Sequence, residues 1–294
     1  MNKFLERLNG GEVLVADGAT GSNLQKMGLK PGQPPEDLII DSPDLISDLA
    51  GSFVKAGSDI ILTCTFGGTR MRMKDSKYQE RAPEVNMRAA ELARKAASAR
   101  DGVLVAGSMG PVGALIKPYG PLEAEEVKAT FKEQAKALVE GGVDLLLIET
   151  MFSFEETTAA FEGAKSVTDL PIVVSFSYDR GTRTMMGVKP KDVIKRYSEM
   201  GAAMIGANCG TTLENMEAVV KEYAATAPNF PLWVKPNAGV PRMDIQTEQG
   251  IYDMSPEDMA AYAKKYVELG AKVVGGCCGN TPEHIAAIVK AVKG

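Results

Sequence analysis

The chain has 294 residues, long for one ordinary domain, and 45% of them are hydrophobic, enough to bury a large core. A formal net charge of −5, with no basic block and no aromatic–basic interleaving, excludes nucleic acid and anionic membrane surfaces as expected partners. Apolar runs are too short to span a bilayer and the N-terminus lacks a signal-peptide core, so a reducing, cytoplasmic setting is expected, where clustered cysteines bind metal more often than they pair.

In chain order, eight short apolar runs stand out, at 13–18, 59–66, 103–110, 144–150, 171–177, 204–209, 231–238 and 273–279. They are continuous in Val, Ile and Leu, not alternating, which is the pattern of parallel strands covered on both faces. Between them lie segments with helical character at 43–56, 82–99, 122–140, 154–166, 190–200, 213–225 and 256–269. Thr281 and Pro282 read as the N-cap and first residue of a last helix running to 292. Before four of the strands stands a phrase containing Gly57, Gly142, Gly201 or Gly270, which reads as a helix C-cap followed by a strand. Residues 29–38, with Pro31, Pro34 and Pro35, read as a loop over one face. Eight strand-then-helix units with no linker predict a (β/α)8 TIM barrel as a single domain over 1–294. A doubly wound open sheet is the alternative, weakened by the absence of a G-x-G-x-x-G after the first strand.

The stretch Gly275-Gly276-Cys277-Cys278-Gly279 carries the chemistry. Neighbouring residues on a strand point to opposite faces, so both sulfurs reach one ligand only if the backbone bends, which Gly276 and Gly279 permit. Cys209 closes another apolar run. Three thiolates from two strand ends would make a zinc site with one open position, the form of a catalytic site; the alternative is that these cysteines are small buried hydrophobes. The single histidine, His284, excludes His-rich metal sites and reads as a residue that packs or caps the last helix.

In a barrel the active site lies at the C-terminal strand ends. Those ends carry D-G-A-T-G at 17–21, T-C-T-F-G at 63–67, G-S-M-G-P at 107–111, I-E-T at 148–150, G-A-N-C at 206–209 and G-G-C-C-G at 275–279. Over nearly the whole chain this set resembles the homocysteine S-methyltransferase family, which includes the homocysteine module of cobalamin-dependent methionine synthase. The resemblance implies a (β/α)8 barrel, Zn2+ on Cys209, Cys277 and Cys278, and methyl transfer to the thiol of homocysteine to give methionine. By chemistry and by resemblance, Glu149 is expected to accept the substrate ammonium; the alternative is an inter-strand ion pair. Gly18, Ala19 and Thr20 present amides to the substrate carboxylate, and Asp17 holds the ammonium or orients that turn. The resemblance also implies that Asn237 occupies the metal's fourth position until substrate arrives; the alternative is that it serves to form the turn. In the family's second-strand motif an Asn stands where this chain has Cys64, which either packs or alters the pocket and so bears on which thiol is accepted.

The chain stops after the eighth helix with no corrinoid-binding D-x-H-x-x-G. The expected methyl donor is therefore a separate molecule, and the resemblance to the cobalamin-dependent branch implies a methylated corrinoid, such as methylcobalamin, on a separate protein. A small molecule such as S-methylmethionine or a betaine is the alternative, and a segment of a longer enzyme would read the same way. Two further readings stay open. One is an aldolase-like barrel using Lys235 as a Schiff-base amine, and the other is a non-catalytic zinc or redox protein.

Overall fold

The eight apolar runs form eight parallel strands: β1 (Leu14–Val15), β2 (Ile60–Leu62), β3 (Leu104–Met109), β4 (Leu145–Met151), β5 (Ile172–Phe176), β6 (Met204–Cys209), β7 (Leu232–Pro236) and β8 (Ala271–Val274). This computed structural model describes residues 2–30, 32–244 and 250–294. The strands pair in the order β1-β8-β7-β6-β5-β4-β3-β2. The first and last of that order meet through a parallel bridge between Ala16 and Ile60, with the Asp17 amide donating to the Ile60 carbonyl at 2.9 Å. The sheet is thus a nearly closed (β/α)8 barrel, in a single domain.

Helices α1 (Pro43–Lys55), α2 (Ala82–Ala97), α3 (Ala124–Glu140), α4 (Phe154–Lys165), α5 (Pro190–Met200), α6 (Leu213–Thr226), α7 (Pro256–Glu268) and α8 (Pro282–Lys293) follow the strands in turn. The alternation of side chains along each strand explains why the runs are apolar throughout. Leu14, Ala16, Leu145, Leu147, Val173 and Trp233 fill the barrel, while Val15, Leu146, Ile148, Val174 and Val234 face the helices. Gly57, Gly142, Gly201 and Gly270 all have positive φ, as their place between helix and strand requires.

Several elements had no sequence signal strong enough to predict them. A helix at Lys3–Asn9, capped by the Asn2 side chain, inserts the fully buried Phe4 among the interior side chains and plugs the N-terminal end. Short helices at Gly21–Lys26 and Leu38–Asp41 decorate the opposite face, and Arg242–Met243 pairs with Gly250–Ile251 as a hairpin after β7. The expected loop at 29–38 carries a 3-10 turn at Pro35–Asp37 and lies over the site; Pro31 is outside the described residues. The apolar run read as beginning at 273 pairs from Ala271, and its cysteines lie in the turn beyond the strand. No helix among the described residues is long and apolar enough to cross a membrane.

Candidate active site

The turn after β8 is tied down from several sides. The Gly276 amide donates to the Asp17 carbonyl at 3.1 Å, the Cys277 amide to the Pro236 carbonyl at 2.8 Å, and the Gly279 amide to Ser22 Oγ at 3.0 Å. Gly279 has φ +82°, so it does provide the expected bend. Gly276 is needed for a different reason: a Cβ there would lie 2.2 Å from the side chain of the fully buried Asn280. Asn280 Nδ2 in turn donates to the carbonyls of Pro236 and Cys277, each at 3.1 Å.

This bend brings Cys277 and Cys278 to Cys209 at the end of β6. The three sulfurs lie within 4.8 Å of one another, with Cys209 and Cys277 at 2.9 Å, and all four cysteines of the chain are free. Among the described residues this is the only such group of three. Tetrahedral zinc with bonds of about 2.3 Å sets its sulfurs about 3.8 Å apart, so small side-chain movements suit the cluster to that ion. The donor set fits as well. Hydrogen bonds with Cys277 and Cys278 hold the Cys209 thiol well above the ordinary thiol range. Hydrogen bonds from Cys209 and Cys277 push Cys278 down to about 3. Three buried sulfurs cannot all ionise side by side without a cation among them.

The Asn208 side chain braces this cluster. Its Oδ1 accepts from the Thr150 amide at 2.9 Å and Ser175 Oγ at 2.6 Å, and its Nδ2 donates to Thr150 Oγ1 at 2.7 Å. The same Nδ2 faces the sulfurs of Cys209 and Cys277 at 3.6 and 3.9 Å. Thr150 and Cys209 are the non-glycine residues with positive φ among the described residues, at 61° and 56°. Both sit beside this one amide.

A cavity of about 610 Å³ opens from the cluster to the C-terminal face, lined by Glu149, Lys235, Cys64, Phe66, Arg72 and the three cysteines, among others. Glu149 is 6% exposed and accepts from Ser108 Oγ at 2.5 Å. Burial pushes its carboxyl up to about 7, against the opposing pull of Lys235. Lys235 is itself buried, with Nζ 2.7 Å from Asp17 Oδ1. Burial works against its charge, but Asp17 and Glu149 more than offset this and hold its pKa above the ordinary lysine value. A charged amine is no nucleophile, which disfavours the Schiff-base reading.

The other predicted site residues fall into place unequally. Gly18, Ala19 and Thr20 line the cavity, but the Ala19 amide is already donated to the Asn280 carbonyl at 3.0 Å. The Gly18 and Thr20 amides have no intramolecular acceptor among the described residues. Asp17 is engaged on both oxygens, by Lys235 and by the Leu62 amide at 2.7 Å. Asn237, expected at the metal's fourth position, spends its side chain on backbone, accepting from the Cys278 amide at 3.0 Å and donating to the Gly210 carbonyl at 3.2 Å. Cys64 is buried in the cavity wall, apart from the three-sulfur group. His284 caps: its Nδ1 accepts from the Thr281 amide at 3.1 Å, and Nε2 bonds the Met254 carbonyl. Ser108, Thr150 and Ser175 were not singled out as site residues. The G-S-M-G-P and I-E-T motifs held two of them in plain view.

The sequence pattern of the homocysteine S-methyltransferases matches residues 14–292. The chain belongs to the homocysteine S-methyltransferase family. Among solved structures, the metallated form of the homocysteine methyltransferase MmuM from Escherichia coli is similar, at 25% identity and a TM-score of 0.83, over 98% of this chain and 99% of that one. Its apo form matches with a TM-score of 0.78 over 99% of this chain and 100% of that one. A methyltransferase from Methanosarcina mazei shares the fold at 16% identity and a TM-score of 0.63, covering 98% of this chain and 96% of that one. As a member of this family the protein is a methyltransferase, and the sulfurs of its cysteine cluster lie close enough together to ligate one metal ion.

Proposed function

We propose that this homocysteine S-methyltransferase family member holds Zn2+ on Cys209, Cys277 and Cys278. It moves a methyl group to the thiol of homocysteine, giving methionine, with a methylated corrinoid on a partner protein as donor. The observation that carries the reading is the meeting of three sulfurs and a buried carboxylate, Glu149, at the floor of one cavity. When bound, the metal favours the thiolate over the thiol of a coordinating substrate, and three cysteinates leave it too electron-rich to activate water well.

The chain's residues do the rest. Glu149 takes the ammonium, which favours its ionised form. The free amides of Gly18 and Thr20 take the carboxylate. Held by both groups on its α-carbon, the substrate presents the sulfur at its other end beside the cysteines, facing the open side of the cavity. The sulfur forms the new bond to the methyl carbon, and the donor leaves with the electron pair of the broken bond. The walls keep water from competing for the methyl group.

Two features support a macromolecular donor. The cavity is larger than a four-carbon amino acid fills and is open at the rim. Among the described residues the exposed large apolar side chains, Met27, Phe66, Tyr119, Met185, Val240, Met243 and Ile251, all belong to connections that follow strands, so they share the rim around the mouth. A small cationic donor, such as S-methylmethionine or a betaine, has one observation in its favour. Glu36 lines the cavity together with the exposed ring of Phe66, and an ionised carboxylate beside a ring would attract a sulfonium or quaternary ammonium, although burial, which raises the Glu36 carboxyl, works against that charge.

X-ray absorption on the purified protein tests the centre: one zinc with three sulfurs and one N/O neighbour, becoming four sulfurs when homocysteine is added. Four sulfurs before substrate, or no zinc, would remove the open-site reading. Methionine formation with methylcobalamin, S-methylmethionine and glycine betaine offered separately then assigns the donor.

A further inference from the structure

Lys235 is the only buried cation among the described residues, and the chemistry above leaves it without a task. It reaches from β7 past β8 to the end of β1, where its Nζ lies 2.7 Å from Asp17 Oδ1. The other Asp17 oxygen accepts the Leu62 amide, so both oxygens are engaged and the side chain is fixed. Lys235 also faces Glu149 from β4 and Cys277 from the turn after β8. Asp17 directly precedes the turn in which Gly18 and Thr20 line the cavity, their amides without an intramolecular acceptor among the described residues. A substrate carboxylate on those amides would sit beside the Asp17 carboxylate in a water-poor floor, where like charges repel strongly. A bare Asp17 would turn such a ligand away.

We propose that Lys235 is a positioning residue that selects for a carboxylate-bearing thiol. By neutralising Asp17 it lets the 18–20 turn accept the α-carboxylate, and so sets the preference for an amino-acid thiol over the same thiol lacking the carboxylate. The inference rests on the homocysteine reading above. It assigns Asp17 to the lysine and leaves the ammonium to Glu149.

The test uses the zinc-loaded full chain and two ligands, homocysteine and 3-aminopropane-1-thiol, which is homocysteine without its carboxylate. Affinities come from titration calorimetry, with thermal unfolding in parallel. Lys235→Gln keeps a donor toward Asp17 but removes the charge. It should lose about tenfold or more in homocysteine affinity and less than about threefold for the aminothiol. Lys235→Arg should keep both within about threefold. The double variant Asp17→Asn/Lys235→Gln removes both charges, a change that buried pairs often tolerate, and should restore the preference for homocysteine. Equal losses for the two thiols in Lys235→Gln, or a double variant without the preference, would overturn the inference. If Lys235→Gln does not fold, the double variant alone decides, by the same preference. Failure of the wild-type protein to bind either thiol would instead remove the homocysteine reading on which it rests.

Discussion

Cys64 and Cys209 show how little residue type alone says. Both are cysteines near a strand end, yet one is enclosed in the cavity wall and the other meets two more sulfurs. Burial pushes the Cys64 thiol well above its ordinary range, with the Glu36 carboxylate adding to the effect, so it stays protonated. Cys209→Ala, Cys277→Ala and Cys278→Ala should each abolish zinc retention on dialysis, measured by metal analysis, while Cys64→Ala should retain about one zinc; loss in Cys64→Ala would mean that the ligand set is wrong. Glu149 gives a second prediction. A charge-assisted hydrogen bond in a partly buried site is worth roughly 1.5–3 kcal/mol. Glu149→Gln should therefore weaken homocysteine about ten- to a hundredfold, and 4-mercaptobutyrate, which lacks the amino group, hardly at all. Because burial raises the Glu149 carboxyl to about 7, the site must ionise it to hold an ammonium. Homocysteine affinity relative to 4-mercaptobutyrate should then fall as pH drops from 8 to 6 and stay flat in Glu149→Gln. Equal pH profiles in the two proteins would take the ammonium away from this residue.

Elements contribute their ends more than their lengths. β4 ends in Glu149 and Thr150, and β6 ends in Asn208 and Cys209, so one amide from β6 joins the strand that carries Glu149 to the strand that carries Cys209. Left-handed backbone at Thr150 and Cys209 costs energy that surrounding bonds must offset. Asn208→Ala removes bonds to Thr150 and Ser175 and leaves their groups unpaired in a buried place. It should destabilise the barrel by about 1–3 kcal/mol and weaken zinc binding about ten- to a hundredfold by chelator competition. Unchanged metal affinity would show that Asn208 serves the fold alone. The G-A-N-C motif displayed this residue in the sequence. Its role was not legible there, because its partners come from β4 and β5, which the chain reaches about 30 to 60 residues earlier.

For the whole molecule, the two ends of the barrel have opposite characters. The N-terminal end is shut by Phe4 and bound by charges, with Arg7 2.9 Å from Asp59 and Lys293 paired to the same carboxylate. The C-terminal end is open and edged with apolar side chains. If a corrinoid protein docks there, Met185→Lys combined with Met243→Lys should cut kcat/KM for the protein-bound methyl donor at least about tenfold, because charges would then replace apolar contacts at an interface. Transfer from free methylcobalamin should be unaffected, as neither side chain lines the cavity. An equal loss with both donors would point to a disturbed site, and no loss with either would place the docking surface elsewhere.

The order of strands and helices, the barrel they close into and the three cysteines that form the cluster were all legible in the sequence. Continuous apolar runs mark strands covered on both faces, and adjacent cysteines in a glycine frame have few other uses. What only the tertiary structure decided are the pairings among charged and amide groups on the rim. Asp17 and Lys235 are separated by 218 positions yet share a hydrogen bond, a partner for Asp17 that its motif did not reveal. Asn237 likewise turns to the Cys278 amide, and Asn280 takes up the Ala19 amide. The physical reason is one of range. Periodicity reports which face of an element is buried, a local property, whereas the partner of a buried charge is set by which strand ends the closed barrel brings within about 3 Å.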